Sequence, residues 1–300
     1  MSDNAPPQPN NSPALPEWIR PAKPKRPYLE HLAPRLRALG VATVCESARC
    51  PNLGECFSCG EATFMLLGEV CSRNCHFCAV TGGRPTPLDP EEPHRIANAV
   101  RELGLKYVVL TSVTRDDLAD GGAGQFIETI GAIRNLSPSV SVEILIPDFQ
   151  GDRAAIEAVV EARPDIFAHN VETVPRLYHQ VRPQADWERS LEVLRYAKGC
   201  APDLLTKSGF MVGLGERRSE VSQALRELRA AQVDLLTVGQ YLQPSQEHLP
   251  VVEYLTMAFY DEVAAEAKEL GFRGVSAGPL VRSSYHAGQL TESARGPAPA

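Results

Sequence analysis

Cys71, Cys75 and Cys78 stand at C-x-x-x-C-x-x-C spacing, and Cys45, Cys50, Cys56 and Cys59 precede them, so seven of the eight cysteines fall within one short stretch. Such crowding marks either a metal site or a disulfide framework. The first nineteen residues carry Asp3 and Glu17 but no Lys or Arg, unlike a secretory signal or transit peptide. The expectation is a cytoplasmic protein, whose thiols stay reduced and available to metal. Three thiolates from one compact loop can reach three corners of a four-iron cubane and leave the fourth iron open to a ligand. Zinc favours four closed ligands, commonly from paired C-x-x-C knuckles, and the loop holds one such pair, Cys75 and Cys78.

The upstream Cys45, Cys50 and Cys56 supply three thiolates again, so a second cubane there needs another ligand. Cys59 lies outside both sets and reads as a spectator. Cys200, alone in its loop, reads as a small buried or loop thiol. His76 and His286 read as hydrogen-bonding groups, since the cysteines already account for each cluster.

The rest of the chain must position these groups. With 300 residues and 43% hydrophobic content it can bury a sizeable core, and no apolar run approaches the roughly 18 residues of a membrane span. The net charge of −7 argues against a nucleic-acid partner, and Arg20, Lys23, Lys25 and Arg26 read as a solvated run able to meet an acidic partner. Residues 1–27 hold eight of the 25 prolines and should lack regular structure. Leu29, Leu32, Leu36 and Leu39 predict a short helix ending at Gly40, which Pro34 divides or begins. Residues 41–62 have no periodicity and suit a loop folded around ligands.

From residue 63 onward, strand and helix alternate. Strands are expected at 63–68, 107–110, 142–146, 165–169, 207–213, 234–239 and 274–276. The helices between them are marked by Ile96/Val100/Leu103, Ile156/Val160, Leu191/Leu194, Val221/Leu225/Leu228 and Phe259/Val263/Ala267/Leu270. This alternation is an α/β fold, either a complete or partial barrel or a doubly wound sheet. In both, chemistry gathers at the C-terminal ends of the parallel strands. Residues 71–78, 111–117, 169–173 and 240–244 all fall there.

The cysteine loop, with Phe77 before its last thiol and a first strand before it, resembles the radical S-adenosylmethionine superfamily. Gly209-Phe210-Met211-Val212-Gly213-Leu214-Gly215-Glu216 is similar to the superfamily's G-x-I-x-G-x-x-E segment, with Met211 in the Ile place, although a buried strand entering a Gly turn accounts for it equally well alone. The upstream cysteine spacing together with Arg282-Ser283-Ser284-Tyr285-His286-Ala287 resembles one family, lipoyl synthase. That match runs from about residue 16 to residue 287 through segments 50–56, 142–149, 169–173 and 238–244.

The resemblance implies a partial (β/α)6-type TIM barrel with an N-terminal cluster-binding extension and a C-terminal ligand-bearing tail. Its divisions would be a Pro-rich segment 1–27, the extension 28–62, the barrel 63–280 and the tail 281–300. It implies two [4Fe-4S] clusters and S-adenosyl-L-methionine. Cys71, Cys75 and Cys78 would hold the radical-generating cluster; Cys45, Cys50, Cys56 and the Ser284 hydroxyl would hold the auxiliary one. A hydroxyl is a poorer partner for cluster iron than a thiolate, which suits a cluster consumed as sulfur donor.

For S-adenosylmethionine, the resemblance implies Thr111 and Ser112 at the methionine amino group and Asn170 and Glu172 at ribose. Gly209, Met211 and Gly213 would meet adenine, and Lys207 could meet the methionine carboxylate. Capping and turn roles compete for the polar residues. The implied reaction inserts sulfur at carbons 6 and 8 of an octanoyl-lysine. Its implied partners are octanoylated carrier domains of 2-oxoacid dehydrogenase E2 subunits or glycine cleavage H protein, a ferredoxin or flavodoxin as electron donor, and an iron–sulfur carrier. The alternatives are another radical sulfur-inserting enzyme, a non-catalytic two-cluster electron carrier and a zinc-binding module.

Overall fold

The computed structural model describes residues 12–19, 33–44, 52, 56 and 59–295. Seven parallel strands form one sheet: β1 (Glu61–Leu66), β4 (Tyr107–Ser112), β5 (Ser141–Leu145), β6 (Ile166–Ala168), β7 (Leu205–Val212), β8 (Leu235–Gln240) and β9 (Gly274–Gly278). They pair strictly in that order. Every residue of β1 and of β8 is buried, the mark of a sheet covered on both faces. The result is a partial barrel, and all seven expected strands are present. β2 (Val70–Cys71) and β3 (Thr81–Gly82) make a separate parallel pair that frames the cysteine loop.

The helices return the chain to the start of each next strand. α1 (Ala33–Ala38) precedes the barrel and buries Leu36 against its core. α2 (Glu92–Glu102) follows, entered through Pro93, and α3 (Ala123–Leu136) packs beside it. α4 (Arg153–Glu161) is capped by the Asp152 carboxylate, which accepts from the amides of Ala154 and Ala155. The one-turn α5 (Tyr178–Val181) leads to α6 (Trp187–Cys200), capped by Asp186. α7 (Arg218–Ala230) and α8 (Met257–Glu269) complete the alternation.

The last helix, α9 (Ala287–Arg295), closes the opposite end of the barrel. Ala287, Leu290 and Ala294 pack with Tyr107, Val109, Ile166, Leu205 and Leu235, residues at or near the beginnings of strands. Glu61, the first residue of β1, accepts from the Ala287 and Gly288 amides at the N-terminus of α9. On the free edge of β1, Thr43 bridges antiparallel to Phe64 and the Met65 amide donates to Ala42 O at 3.0 Å. That cover satisfies the open edge strand. Among the described residues no helix is long and apolar enough to cross a membrane.

Candidate active site

The loop from Cys71 to Cys78 leaves β2 at the C-terminal rim of the barrel, and its three thiols are half-buried. Cys71 Sγ accepts from the amides of Thr114 at 3.2 Å and Arg73 at 3.4 Å. Further along, the Asn74 amide donates to Gln184 Oε1 at 2.8 Å and the His76 amide to Val181 O at 2.9 Å. His76 Nδ1 donates to Gln180 O at 2.7 Å, the hydrogen-bonding role expected of it. His248 Nε2 donates to Cys78 O at 2.9 Å, and the Leu249 amide reaches His76 O at 3.2 Å. Segments over a hundred residues away thus fix the loop. Burial pushes the Cys75 thiol up to about 12, with Cys78, Glu172 and Cys71 adding to the rise and Arg182 opposing it. Burial raises Cys78 as well.

Arg73, in the middle of the loop, ties it to the rim. It is 6% exposed, donates through Nε and Nη2 to both Asp116 oxygens at 2.7 and 2.8 Å, and reaches Asp148 Oδ1 at 2.7 Å. Burial pushes the fully buried Asp148 carboxyl up, but Arg73, the charge of nearby His169 and the Gln150 amide more than offset it and hold it far below the usual range. Ser72 adds a second tie, donating to Thr114 O and accepting from the Asp116 amide, both at 3.0 Å. Sequence reasoning missed Arg73, Asp116, Asp148, Arg182 and His248. The signal available was that Asp116 and Asp148 stand in the loops that follow strands, four and three residues past their ends.

The rim residues named from the sequence divide into two groups. Thr111 Oγ1 donates to Leu145 O at 2.8 Å, whereas Ser112 Oγ is buried without a partner. After β6, the amides of Val171 and Glu172 both donate to Gly209 O at 3.1 Å, and the Met211 amide donates to Glu172 O at 2.9 Å. This docking brings Asn170, Glu172, Gly209 and Met211 together. Asn170 Oδ1 is buried and unpartnered, and Glu172 holds a positive φ of 64° that few non-glycine residues adopt. Burial raises the Glu172 carboxyl while Arg182, Asn170 and Arg282 pull it down. A side chain at Gly209 would strike Thr237, and one at Gly213, with φ of 104°, would strike Gln240 and Glu253 O. Glu216 accepts from the amides of Gly213 and Leu214, closing the turn that follows β7.

Lys207 is a correction. The strand begins at Leu205, so Lys207 is its third residue and points into the barrel, fully buried. Its ammonium lies 2.9 and 3.0 Å from the two oxygens of the equally buried Glu143. A charge so deep needs its partner, and this cation is committed there rather than to a methionine carboxylate at the rim.

Cys45 and Cys50 lie outside the described residues. Cys56 is half-buried and Cys59 is exposed, its amide donating to Cys56 O at 2.9 Å. Asn52, between Cys50 and Cys56 in sequence, donates through Nδ2 to Leu280 O at 2.7 Å and so ties the extension to the C-terminal segment. Val281 then passes so close to Gly239 on β8 that a Cβ there would strike its carbonyl. Ser283 and Ser284 follow, both half-exposed in one turn. Cys200 is exposed at the end of α6, beside a surface hollow of about 360 Å³ lined by Glu192, Arg195, Tyr196 and Gly199.

Among the described residues, no three His, Cys, Asp or Glu side chains converge on a single ion. The three loop thiols share one short, half-buried loop at the rim. Three such thiols beside the unpartnered Ser112 Oγ and Asn170 Oδ1 fit a thiolate-held cluster with a polar small molecule next to it.

The model of the radical SAM superfamily matches residues 65–228. The lipoyl synthase of Rubrobacter xylanophilus is 55% identical over 280 residues, covering 93% of this chain and 87% of that protein. The lipoyl synthase of Caldanaerobacter subterraneus subsp. tengcongensis is 52% identical over 281 residues, covering 94% and 98%. Among solved structures, HydG, a maturase of the [FeFe]-hydrogenase, aligns with a TM-score of 0.58 at 16% identity over 72% of this chain and 51% of that one. Methylornithine synthase aligns with a TM-score of 0.53 at 17% identity over 71% and 62%. At these identities the structural likeness concerns the fold.

Proposed function

The chain belongs to the lipoyl synthase family of radical S-adenosylmethionine enzymes, and from that premise we propose how its residues divide the work. The family's reaction inserts two sulfur atoms, at carbons 6 and 8 of a protein-bound octanoyl-lysine, and its substrate is a lipoyl-carrier protein. A [4Fe-4S] cluster and S-adenosyl-L-methionine serve it. Bound together, they supply the carbon-centred radical that removes hydrogen from an unactivated carbon.

In our reading Cys71, Cys75 and Cys78 hold that cluster, and Arg73, through Asp116 and Asp148, holds their loop on the rim. Ser112, Asn170 and Glu172 bind the polar parts of S-adenosylmethionine, with Thr111 beside them. The backbone of Gly209, Met211 and Gly213 meets adenine. The barrel walls and the tail keep water from the reacting carbon.

The auxiliary cluster is the second part of the proposal. Cys45, Cys50, Cys56 and Ser284 hold it, and it donates the sulfur. The observation that carries this is the Asn52–Leu280 hydrogen bond of 2.7 Å, which joins the C-P-N-L-G-E-C segment to the chain four residues before Ser284. Extension 28–62 and tail 281–300 act as one unit on the barrel 63–280, with segment 1–27 leading into them. E2 subunits and H protein as carriers, a ferredoxin or flavodoxin as reductant and an iron–sulfur carrier for rebuilding complete the proposal, in the reducing cytoplasm.

The test is anaerobic incubation of the iron-reconstituted protein with S-adenosylmethionine, a strong reductant and an octanoyl-lysyl peptide, followed by mass spectrometry. A peptide carrying two sulfurs, together with two cubanes' worth of iron and sulfide per chain, is the expected result. Cofactor cleavage with an unmodified peptide and one cubane would overturn the auxiliary assignment.

A further inference from the structure

Arg182 sits immediately after α5 and is 8% exposed. Its Nη1 donates to Asn170 O at 2.8 Å, its guanidinium lies 5.4 Å from the centre of the Tyr178 ring, and its Nε is buried with no partner. Among the described residues it makes no ion pair with a carboxylate. The other buried cations nearby are spent: Arg73 on Asp116 and Asp148, Lys207 on Glu143. Arg182 therefore keeps its charge in a dry place without a direct ion pair, with the carboxylates of Glu172 and Asp148 acting on it from further away.

The turn that carries Arg182 also holds the residues on either side of Cys75. The Asn74 amide is bound by Gln184 and the His76 amide by Val181, with His76 Nδ1 on Gln180 O. Residues 180–184 and the middle of the cysteine loop are thus one rigid piece. Arg182 acts electrostatically on both Cys75 and Glu172.

We propose that Arg182 is the fixed counter-charge of the cluster held by Cys71, Cys75 and Cys78, raising its reduction potential so that the reduced form is populated. The inference rests on the assignment of that cluster to these cysteines. Reduction adds one electron to a centre already made negative by three thiolates. A buried cation that acts electrostatically on one of them stabilises the reduced state more than the oxidised one, and little solvent screens it. The Nη1 bond to Asn170 O and the backbone bonds to the loop keep the charge in place, so no reorganisation is needed as the electron arrives.

The experiment is an electron paramagnetic resonance redox titration of the cluster-loaded full chain, with iron counted in each variant. The signal that changes when S-adenosylmethionine is added identifies the cluster in question. Arg182→Gln is expected to lower the ratio of reduced to oxidised cluster at a fixed potential by roughly tenfold, a shift of about 59 mV for one electron. Arg182→Lys, which keeps the charge but not the fork, should titrate close to the parent.

A merely structural role would reduce the iron content of both variants and leave the potential of the loaded fraction where it was; that result overturns the proposal. So does a Lys variant that shifts as far as the Gln variant; where the Gln variant fails to load, a Lys variant whose potential falls by the roughly tenfold ratio expected of Gln overturns it alone. Absence of any signal responsive to S-adenosylmethionine in the parent protein overturns the cluster assignment and the proposal with it. A responsive parent signal with an unshifted Gln variant overturns the role of Arg182 alone.

Discussion

Ser283 and Ser284 are neighbours in one turn with similar exposure, so the choice between them rests on a single hydroxyl. An alkoxide-type ligand on a soft iron–sulfur cluster is easier to displace than a thiolate. Ser284→Ala is therefore expected to leave S-adenosylmethionine cleavage largely intact and abolish lipoyl formation, whereas Ser283→Ala keeps both. Mass spectrometry of the peptide, with 5′-deoxyadenosine counted in the same reaction, reads the difference. Equal loss in the two variants would remove Ser284 from the ligand set.

His169 makes a different kind of statement. It is 1% exposed, donates through Nδ1 to Ile146 O at 2.9 Å, and has an unpartnered Nε2. Burial first, and the charge of Arg182 second, push its pKa down from 6.5 to about 4. The folded chain then refuses a proton that the unfolded chain accepts between those values. Its stabilising contribution is complete above pH 6.5 and is lost as pH falls toward about 4, with a slope of about 1.4 kcal/mol per pH unit. Urea unfolding followed by the fluorescence of the buried Trp187 should show that slope, and His169→Asn should flatten it.

At the scale of elements, the cysteine loop is held less by itself than by what the strands deliver to it. Arg73 bridges the loops after β4 and β5, and cutting it to alanine leaves the fully buried Asp148 with the partly exposed Arg189 at 3.2 Å as its one remaining ion pair among the described residues, beside the Gln150 amide. The expected cost is about 3 to 5 kcal/mol, as for other buried pairs broken on one side, along with loss of one cubane's iron. Arg73→Lys should recover part of both. Gly239→Ala tests the tail in the same way. Its Cβ would collide with Val281 O, so the tail must lift from β8, and sulfur transfer should fall while cofactor cleavage persists.

The elements also show what the sequence could reveal. The strands were legible because their apolar runs are continuous and bounded by Gly, Asp or Pro. α3 was not, because two of its buried positions are Gln125 and Thr129, whose polar groups bond to Asp89 O, Glu92 and Gln125 O. α9 escaped notice because it buries small residues and Thr291 rather than a leucine stripe. The cysteine triplets stand out in the sequence since each one's spacing is local. Arg182 and His248 were hidden because their contacts with the cysteine loop cross over a hundred residues. The placement of Lys207 at a strand start failed by two residues of strand boundary, enough to move a side chain from the lower end of the strand into the barrel interior.

In the whole molecule the two ends of the barrel have opposite tasks. The rim keeps polar atoms unpartnered: Ser112 Oγ, Asn170 Oδ1 and Arg182 Nε. The lower end is instead sealed by α9 and has a connected network within it. Lys207 pairs with Glu143, Tyr107 Oη donates to Glu143 Oε2 at 2.6 Å, and Tyr107 Oη and Thr291 Oγ1 of α9 share a bond of 3.1 Å. If this network is structural, its ions matter only to each other. Lys207→Met alone should cost about 3 to 5 kcal/mol, because it strands a buried carboxylate. Joining it to Glu143→Leu should recover most of that loss in urea unfolding, since a well-packed apolar pair replaces a buried ion pair at little net cost. The double variant should also cleave S-adenosylmethionine at close to the parent's rate. Were Lys207 instead the partner of the methionine carboxylate, restoring stability would not restore cleavage, and 5′-deoxyadenosine release would stay low in both variants.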